Sequence, residues 1–197
     1  DEEGRLVKPG THDPLVDIEF LANEVTMWMV QMLSKDWDKL VRLVDYAKKP
    51  LLDVLYDRFS GLGITQAQIS DALTKLDLDK KPLSRWSDDD MRNFVSMLRE
   101  LSKPMVIAAN KMDIPEAEDN YRRVVKEVGN KYRVIPVSAD YELALRRAAK
   151  ANLIKYVPGD DDFEIVSSNL TKAQRDALER IRDFMHKWGG TGVIKAL

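Results

Sequence analysis

Two short apolar runs with a helical segment between them constrain the fold of the C-terminal half of the chain. The runs are MVIAA at 105–109 and YRVIPVSA at 132–139, and PEAEDNYRRVVKEVG between them has apolar residues at helical spacing. A second helical segment, YELALRRAAKANL, follows the second run. The order strand, helix, strand, helix predicts a parallel sheet with crossover helices. Because two strands alone do not make a stable sheet, we expect further strands to come from outside these residues.

Residues 13–101 carry helical patterns and no convincing strand. An Asp-Pro pair at 13–14 and a Thr-x-x-Gln capping box at 65–68 predict helix starts, and acidic residues after Ser87 suit the first turn of another helix. About five helices are expected, arranged as a bundle or as hairpins. The Met- and Trp-rich stretch TMWMVQML at 26–33 is expected to pack inside this helical part, with a partner-binding face as the alternative.

The composition excludes several classes of function. The 197 residues include no cysteine, so disulfides, thiolate catalysis and Cys-zinc sites are impossible. The formal net charge of −2 gives no overall basic field for nucleic acid, although a local basic patch stays open. No apolar stretch of about 18 residues predicts a membrane span, and DEEGRLVKPG at the N-terminus lacks the apolar core of a signal peptide. A cytoplasmic location is therefore expected, and both ends of the chain are expected to be cut from a longer protein.

Polar turns follow both predicted strands and supply the candidate site residues. These residues are Asn110, Lys111, Met112 and Asp113 after the first strand, and Ser138, Ala139 and Asp140 after the second. Ligands of open parallel sheets bind at the carboxyl ends of the strands, where both turns emerge on one edge. The alternative is that the first turn is an ordinary strand-to-helix turn, in which Asn and Asp are common.

The residue types in these turns suit a guanine base. Its N1–H and its exocyclic N2 amino group are both donors, and one carboxylate such as Asp113 can accept from both. Asn110 can hold the loop in shape, and the methylene stem of Lys111 can lie against the ring. Backbone N–H groups of residues 138–140 can donate to O6. Adenine reverses the pattern at position 6 and would leave the carboxylate unpaired, which costs binding energy.

These residues resemble the fourth and fifth motifs of P-loop GTPases, Asn-Lys-x-Asp and Ser-Ala. Together with GTHDPLVDIEFLANEV at 10–25 and KPMVIAANKMD at 103–113, they make essentially the whole chain similar to the YchF branch of the Obg-related GTPases, the archaeal-type members in particular. The resemblance implies a helix-rich α/β fold, the C-terminal half of a Rossmann-like P-loop GTPase domain with an α-helical insertion arm. Residues 1–12 would then be a linker from the N-terminal part of that domain, 13–101 the partly coiled-coil arm, and 102–197 the base-recognising part. A TGS domain would follow.

The resemblance also implies a function for the intact protein. Because Lys111 and Asp113 are kept, GTP is the expected nucleotide, with ATP as the alternative, and Mg²⁺ and hydrolysis belong to the full-length protein. The ribosome or RNA would be the partner, reached through the arm and the basic helix faces. No glycine is followed by lysine, so the phosphate-binding pattern G-x-x-x-x-G-K-[ST] is absent and the chain alone is expected to be inactive, with no catalytic or metal residue assigned. The rival hypothesis is a non-enzymatic helical module that binds a protein or RNA.

Overall fold

The computed structural model describes residues 12–197, so the expected linker at 1–12 lies outside the described residues except for His12. The described chain forms two compact units. One unit is Leu15–Pro104, and the other is Met105–Leu197 together with residues 12–14.

The first unit is built from helices and helical turns. They are α1 Pro14–Ser34, α2 Trp37–Val41 with a π-helical turn Arg42–Tyr46, α3 Leu51–Phe59 with a 3₁₀ turn Ser60–Leu62, α4 Gln66–Lys75, a 3₁₀ turn Leu83–Arg85, and α5 Asp88–Ser102. Helix α1 begins at Pro14 and α4 follows a capping box of Thr65 and Gln68, so both predicted starts are confirmed.

The core of the helical unit collects the apolar faces of its helices. Its fully buried side chains include Leu55 and Phe59 of α3, Phe94 and Leu98 of α5, and Leu33 of α1. Phe59 and Phe94 face each other at 6.4 Å between ring centroids. Burial of these side chains is the main favourable term in the stability of the unit.

The Met- and Trp-rich stretch of α1 divides between this core and the surface. Met29 and Leu33 are buried, as the packing interpretation predicts, but Trp28 is 51% exposed. Three further apolar side chains of α1, Val16, Phe20 and Leu21, are also exposed.

The second unit alternates strands and helices. Its elements are β1 Val106–Ala109, α6 Ala117–Val128, β2 Arg133–Pro136, α7 Ala139–Lys150, β3 Ile154–Lys155, β4 Glu164–Ile165, α8 Lys172–Trp188 and α9 Val193–Ala196. β1 and β2 pair in parallel, with Val106 opposite Arg133 and Ala109 opposite Pro136, so the predicted parallel pair with a crossover helix is confirmed. β3 and β4 pair antiparallel, with Ile154 opposite Ile165. Two-residue strands are too short to show alternation in a sequence.

Helix α8 packs beside α6 and α7 through aromatic contacts. Trp188 of α8 lies edge-on to Tyr121 of α6, with 5.3 Å between ring centroids. Phe184 of α8 lies edge-on to Tyr141 of α7 at 5.2 Å. These contacts hold the three helices in one core, with Leu145 and Met185 fully buried. Within residues 12–197, every helix is too short or too polar to serve as a membrane span.

Candidate functional site

The two polar turns begin at the same level of the sheet. Ala109 and Pro136 are the last paired residues of β1 and β2. The ladder extends one step further, because the Val137 N–H donates to the Ala109 carbonyl at 2.9 Å. The parallel pairing therefore brings the turns 110–113 and 138–140 together at one edge.

Three hydrogen bonds join the two turns directly. The Met112 N–H donates to the Val137 carbonyl at 3.1 Å, and the Ala139 N–H donates to Asn110 Oδ1 at 3.1 Å. The Ser138 hydroxyl donates to Asp113 Oδ1 at 2.6 Å. Asn110 thus holds one turn against the other, and Ser138 fixes the orientation of the Asp113 carboxylate.

The seven candidate residues divide by exposure. Asn110, Lys111, Ala139 and Asp140 are exposed, and Asp113 is half-buried. Met112 is only 6% exposed and belongs to the core, while Ser138 is fully buried. The structure therefore places these two beneath the site, where they support it, and leaves the other five at its surface.

The backbone of Lys111 is left-handed, with φ of 67°. This conformation is uncommon for a residue other than glycine, and such residues cluster at functional sites. It allows the Ile114 N–H to donate to the Lys111 carbonyl at 3.0 Å, which closes the turn. The turn leaves the Lys111 side chain exposed at the edge where the two polar turns meet.

The first turn of α7 lies at the second polar turn. Ser138 is its N-cap, and the Ser138 hydroxyl accepts from the Tyr141 N–H at 3.2 Å. The Ala139 N–H is used by Asn110. The Asp140 N–H is then the one backbone N–H among residues 138–141 that has no acceptor within the described part of the chain. Unpaired donors at a helix start favour an electronegative ligand atom.

Tyr141 lies close enough to Asp113 to respond to its charge. Burial raises the pKa of the Tyr141 hydroxyl, and the negative charge of Asp113 raises it further. Tyr141 therefore stays neutral at neutral pH.

A third loop supports the site, and sequence reasoning missed it. The Ser138 N–H donates to the Thr191 carbonyl at 2.9 Å, so the loop 189–192 after α8 contacts the second polar turn. The Thr191 hydroxyl donates to Glu142 Oε2 at 2.5 Å, and the Tyr156 hydroxyl donates to the same oxygen at 2.7 Å. The Gly-Gly-Thr-Gly run at 189–192 was a signal for a tight loop, but nothing in the sequence paired it with α7.

Glu142 is a buried charge with a full set of partners. Burial acts to raise the pKa of its carboxyl, but hydrogen bonds from Thr191, Tyr156 and Arg146 outweigh burial and lower it. Burial, then the hydrogen bond to Glu142 and its charge, raise the pKa of Tyr156 to about 12. The network therefore holds an ionised carboxylate next to a neutral tyrosine.

The basic helix faces expected as a possible RNA contact are partly neutralised by acids. Arg122 pairs with Glu118 at 2.7 Å, Arg123 with Asp13 at 2.7 Å, and Arg146 with Glu142 at 2.6 Å. No group of three or more His, Asp or Glu side chains within residues 12–197 could hold a metal ion.

Comparisons with known proteins agree with this arrangement. Residues 108–197 match the family described as "Obg-like GTPase YGR210-like, G4 motif-containing domain". A GTP-binding protein of Methanocaldococcus jannaschii is 44% identical over 198 residues, covering all of this chain and 48% of the relative. A GTP-binding protein of Schizosaccharomyces pombe is 35% identical over 208 residues, covering all of this chain and 49% of the relative. The chain thus spans about half the length of these curated relatives.

The chain is also similar to a solved structure over its full length and to a further GTPase over about half of its length. The crystal structure of a GTP binding protein from Pyrococcus horikoshii OT3 superposes with a TM-score of 0.78 at 36% identity, covering all of this chain and 51% of that one. The GTPase Obg of Desulfitobacterium hafniense is 43% identical over 108 residues, which cover 49% of this chain and 26% of the relative.

Proposed function

The chain belongs to the Obg-like GTPases of the YGR210-like type, and from this premise we propose that it supplies the guanine-recognition site of a GTP-binding protein. The resemblance to the Obg-related GTPases that the sequence motifs predicted is thereby confirmed. The observation that carries the proposal is the 2.6 Å hydrogen bond from Ser138 to Asp113, because it orients a half-buried carboxylate at the edge where ligands of parallel sheets bind.

In this proposal Asp113 reads the donor edge of the base. One lone pair of Oδ1 is occupied by the Ser138 hydroxyl, and the remaining lone pairs can accept from the N1–H and the N2 amino group. Lys111, exposed on the same turn, covers a face of the ring with its methylene stem. The Asp140 N–H is the available donor to O6.

The same arrangement discriminates against adenine. Adenine presents an amino group at position 6 and an acceptor at N1, so the Asp140 N–H and the Asp113 carboxylate would both meet groups of their own kind. A site built to hydrogen-bond one pattern rejects the other strongly, because its polar groups are left unpaired. GTP is therefore the proposed nucleotide and ATP the alternative. Hydrolysis and Mg²⁺ binding are proposed for the intact protein alone.

The substitution Asp113→Asn in the intact protein tests the proposal. The asparagine amide replaces one acceptor oxygen with a donor, so the affinity for GTP is expected to fall by at least about 100-fold, since each hydrogen bond to the carboxylate contributes about 1.5–3 kcal/mol. Xanthosine triphosphate has a carbonyl oxygen at position 2 and should bind Asp113→Asn better than it binds the wild type. Fluorescent-nucleotide titration or calorimetry measures both affinities.

Asp119→Asn is the matched control, because Asp119 is an exposed carboxylate of α6 and undergoes the same chemical change. It should leave both affinities within about twofold of the wild type, as surface substitutions usually do. Equal GTP affinity in wild type and Asp113→Asn would refute the proposed site.

A second candidate function concerns the helical unit. Three apolar side chains of α1, those of Val16, Phe20 and Trp28, are exposed, and apolar side chains left exposed on a helix are candidates for a partner contact. A partner such as the ribosome would contact the helical unit there. Cosedimentation of the intact protein with ribosomes, with and without GTP, tests this role.

A further inference from the structure

A buried polar pair lies behind the guanine-recognition site and does not touch a ligand itself. Glu142 of α7 is 4% exposed and Thr191 of the loop 189–192 is 1% exposed, and their side chains meet at 2.5 Å. Burying a charge is costly unless hydrogen bonds compensate it. The carboxylate receives such bonds from Thr191, Tyr156 and Arg146.

The pair is connected to Asp113 by consecutive contacts. The Glu142 carboxylate holds the Thr191 hydroxyl, and the Thr191 carbonyl accepts from the Ser138 N–H at 2.9 Å. The Ser138 hydroxyl in turn donates to Asp113 at 2.6 Å. Each group in this series fixes the position of the next.

The backbone of the loop is built for this close approach. Gly192 has φ of 78°, and a Cβ at this position would lie 1.9 Å from the carbonyl oxygen of Pro136, the last residue of β2. Only glycine allows the loop to lie this near to the strand end. The Thr191 carbonyl is thereby brought within reach of the Ser138 N–H.

We propose that Glu142 and Thr191 are positioning residues for guanine specificity, which set Ser138 so that its hydroxyl fixes the Asp113 carboxylate against the base. The inference rests on the proposed function of the site. A carboxylate fixed in orientation can accept from N1–H and from the 2-amino group together. A carboxylate that is free to rotate keeps the hydrogen bond from N1–H and loses the hydrogen bond from the 2-amino group.

The ratio of the affinities for GTP and inosine triphosphate measures this role, because inosine triphosphate lacks only the 2-amino group. In the intact protein, Thr191→Val removes the hydroxyl and keeps the shape and the backbone carbonyl. We expect it to weaken GTP binding by about tenfold and to leave the binding of inosine triphosphate within about twofold, so the ratio falls. A residue that only supports the fold would lower both affinities together or change only the thermal stability.

Two variants serve as matched controls. Thr191→Ser restores the hydroxyl and should restore the ratio. Tyr156→Phe removes the other donor to Glu142 Oε2 but leaves the contact between Glu142 and Thr191, so the ratio should stay near that of the wild type. Glu142→Met tests the carboxylate itself and replaces Thr191→Val if that variant does not fold.

A double-mutant cycle tests whether the groups act in series. Ser138→Ala should lower the ratio, and adding Thr191→Val should lower it no further, because both changes break the same connection. An unchanged ratio in Thr191→Val and Glu142→Met would overturn the inference while leaving the guanine site in place. If the wild type does not prefer GTP to inosine triphosphate, the proposed function itself fails.

Discussion

Gly192 shows at the scale of one residue how the site depends on backbone geometry. Its φ of 78° lies in the left-handed region, and a Cβ added there would approach the Pro136 carbonyl oxygen to 1.9 Å. Any side chain here must displace the loop 189–192 or the end of β2. Thr191 of this loop accepts from the Ser138 N–H, and Val137, which follows Pro136, accepts from the Met112 N–H. The displacement would therefore reach both polar turns of the proposed base-recognition site.

Gly192→Ala is therefore expected to reduce the free energy of unfolding by about 2–4 kcal/mol, from left-handed strain and overpacking together. Urea denaturation followed by circular dichroism measures the loss. Gly61→Ala is the control, since a Cβ at Gly61 meets no atom within 4 Å, and it should stay within about 0.5 kcal/mol of the wild type. Similar losses in the two variants would contradict the steric argument.

The candidate residues were predictable from the sequence only where the strand pattern placed them. Because parallel strands end at one edge, Asp113 and Ser138 could be brought together from their positions alone, and they meet at 2.6 Å. Glu142 and Thr191 could not, because they are 49 positions apart and their contact depends on how α8 packs. The burial of Met112 is likewise a result of packing and not of its place in the motif.

At the scale of elements, capping boxes start three of the longer helices. They precede α4, α5 and α8, with Thr65, Ser87 and Thr171 as the N-cap residues. The boxes at Thr65 and Thr171 follow from local sequence, because their partners lie three residues away. The strands β3 and β4 did not follow from it, since each has two residues and their pairing joins Ile154 to Ile165 across a loop.

Ser87→Ala is expected to destabilise the helical unit by about 1 kcal/mol, the usual cost of losing an N-cap side chain. Ser87 Oγ accepts from the Asp90 N–H at 3.1 Å. Alanine has no side-chain oxygen to accept this hydrogen bond. Urea unfolding measures the effect. Ser70→Ala, in the exposed interior of α4, is the control and should be neutral or slightly stabilising, because alanine is the better helix former.

The pKa of Asp90 sets the pH range for that comparison. Hydrogen bonds from Lys81 and then from Ser87 lower it from 3.8 to about 2. A carboxyl whose pKa is lower in the folded state stabilises the fold above its unfolded pKa, and this contribution is lost as the pH falls through the folded pKa. The stabilisation from the ionised Asp90 carboxylate is thus fully present above pH 3.8 and is lost as the pH falls toward 2. A Ser87→Ala effect measured at neutral pH therefore reports on the ionised box.

At the scale of the whole molecule, the described chain has one core in its helical unit and a second core beneath the turns proposed to recognise the base. The core of residues 15–104 and the core beneath the polar turns share no residue. The helix-rich α/β class was predictable, because the change from helical spacing to alternating strands and helices is visible in the sequence. The assignment of 13–101 as an insertion arm and of 102–197 as part of a GTPase domain stays a proposal, since it concerns relatives about twice as long as this chain.

A GTPase binds the base and the phosphates with different segments, so we predict that the 197-residue chain alone does not hydrolyse GTP. Its polar turns can contact the base, but phosphoryl transfer depends on backbone amides and a lysine that hold the phosphates. No glycine in the sequence is followed by the lysine of such a loop. Phosphate release at saturating GTP should therefore equal that of buffer. Asp113→Asn distinguishes turnover by the chain from turnover by a contaminating enzyme. Turnover that disappears with this substitution comes from the proposed guanine site and would contradict the prediction. Turnover that persists belongs to the contaminant.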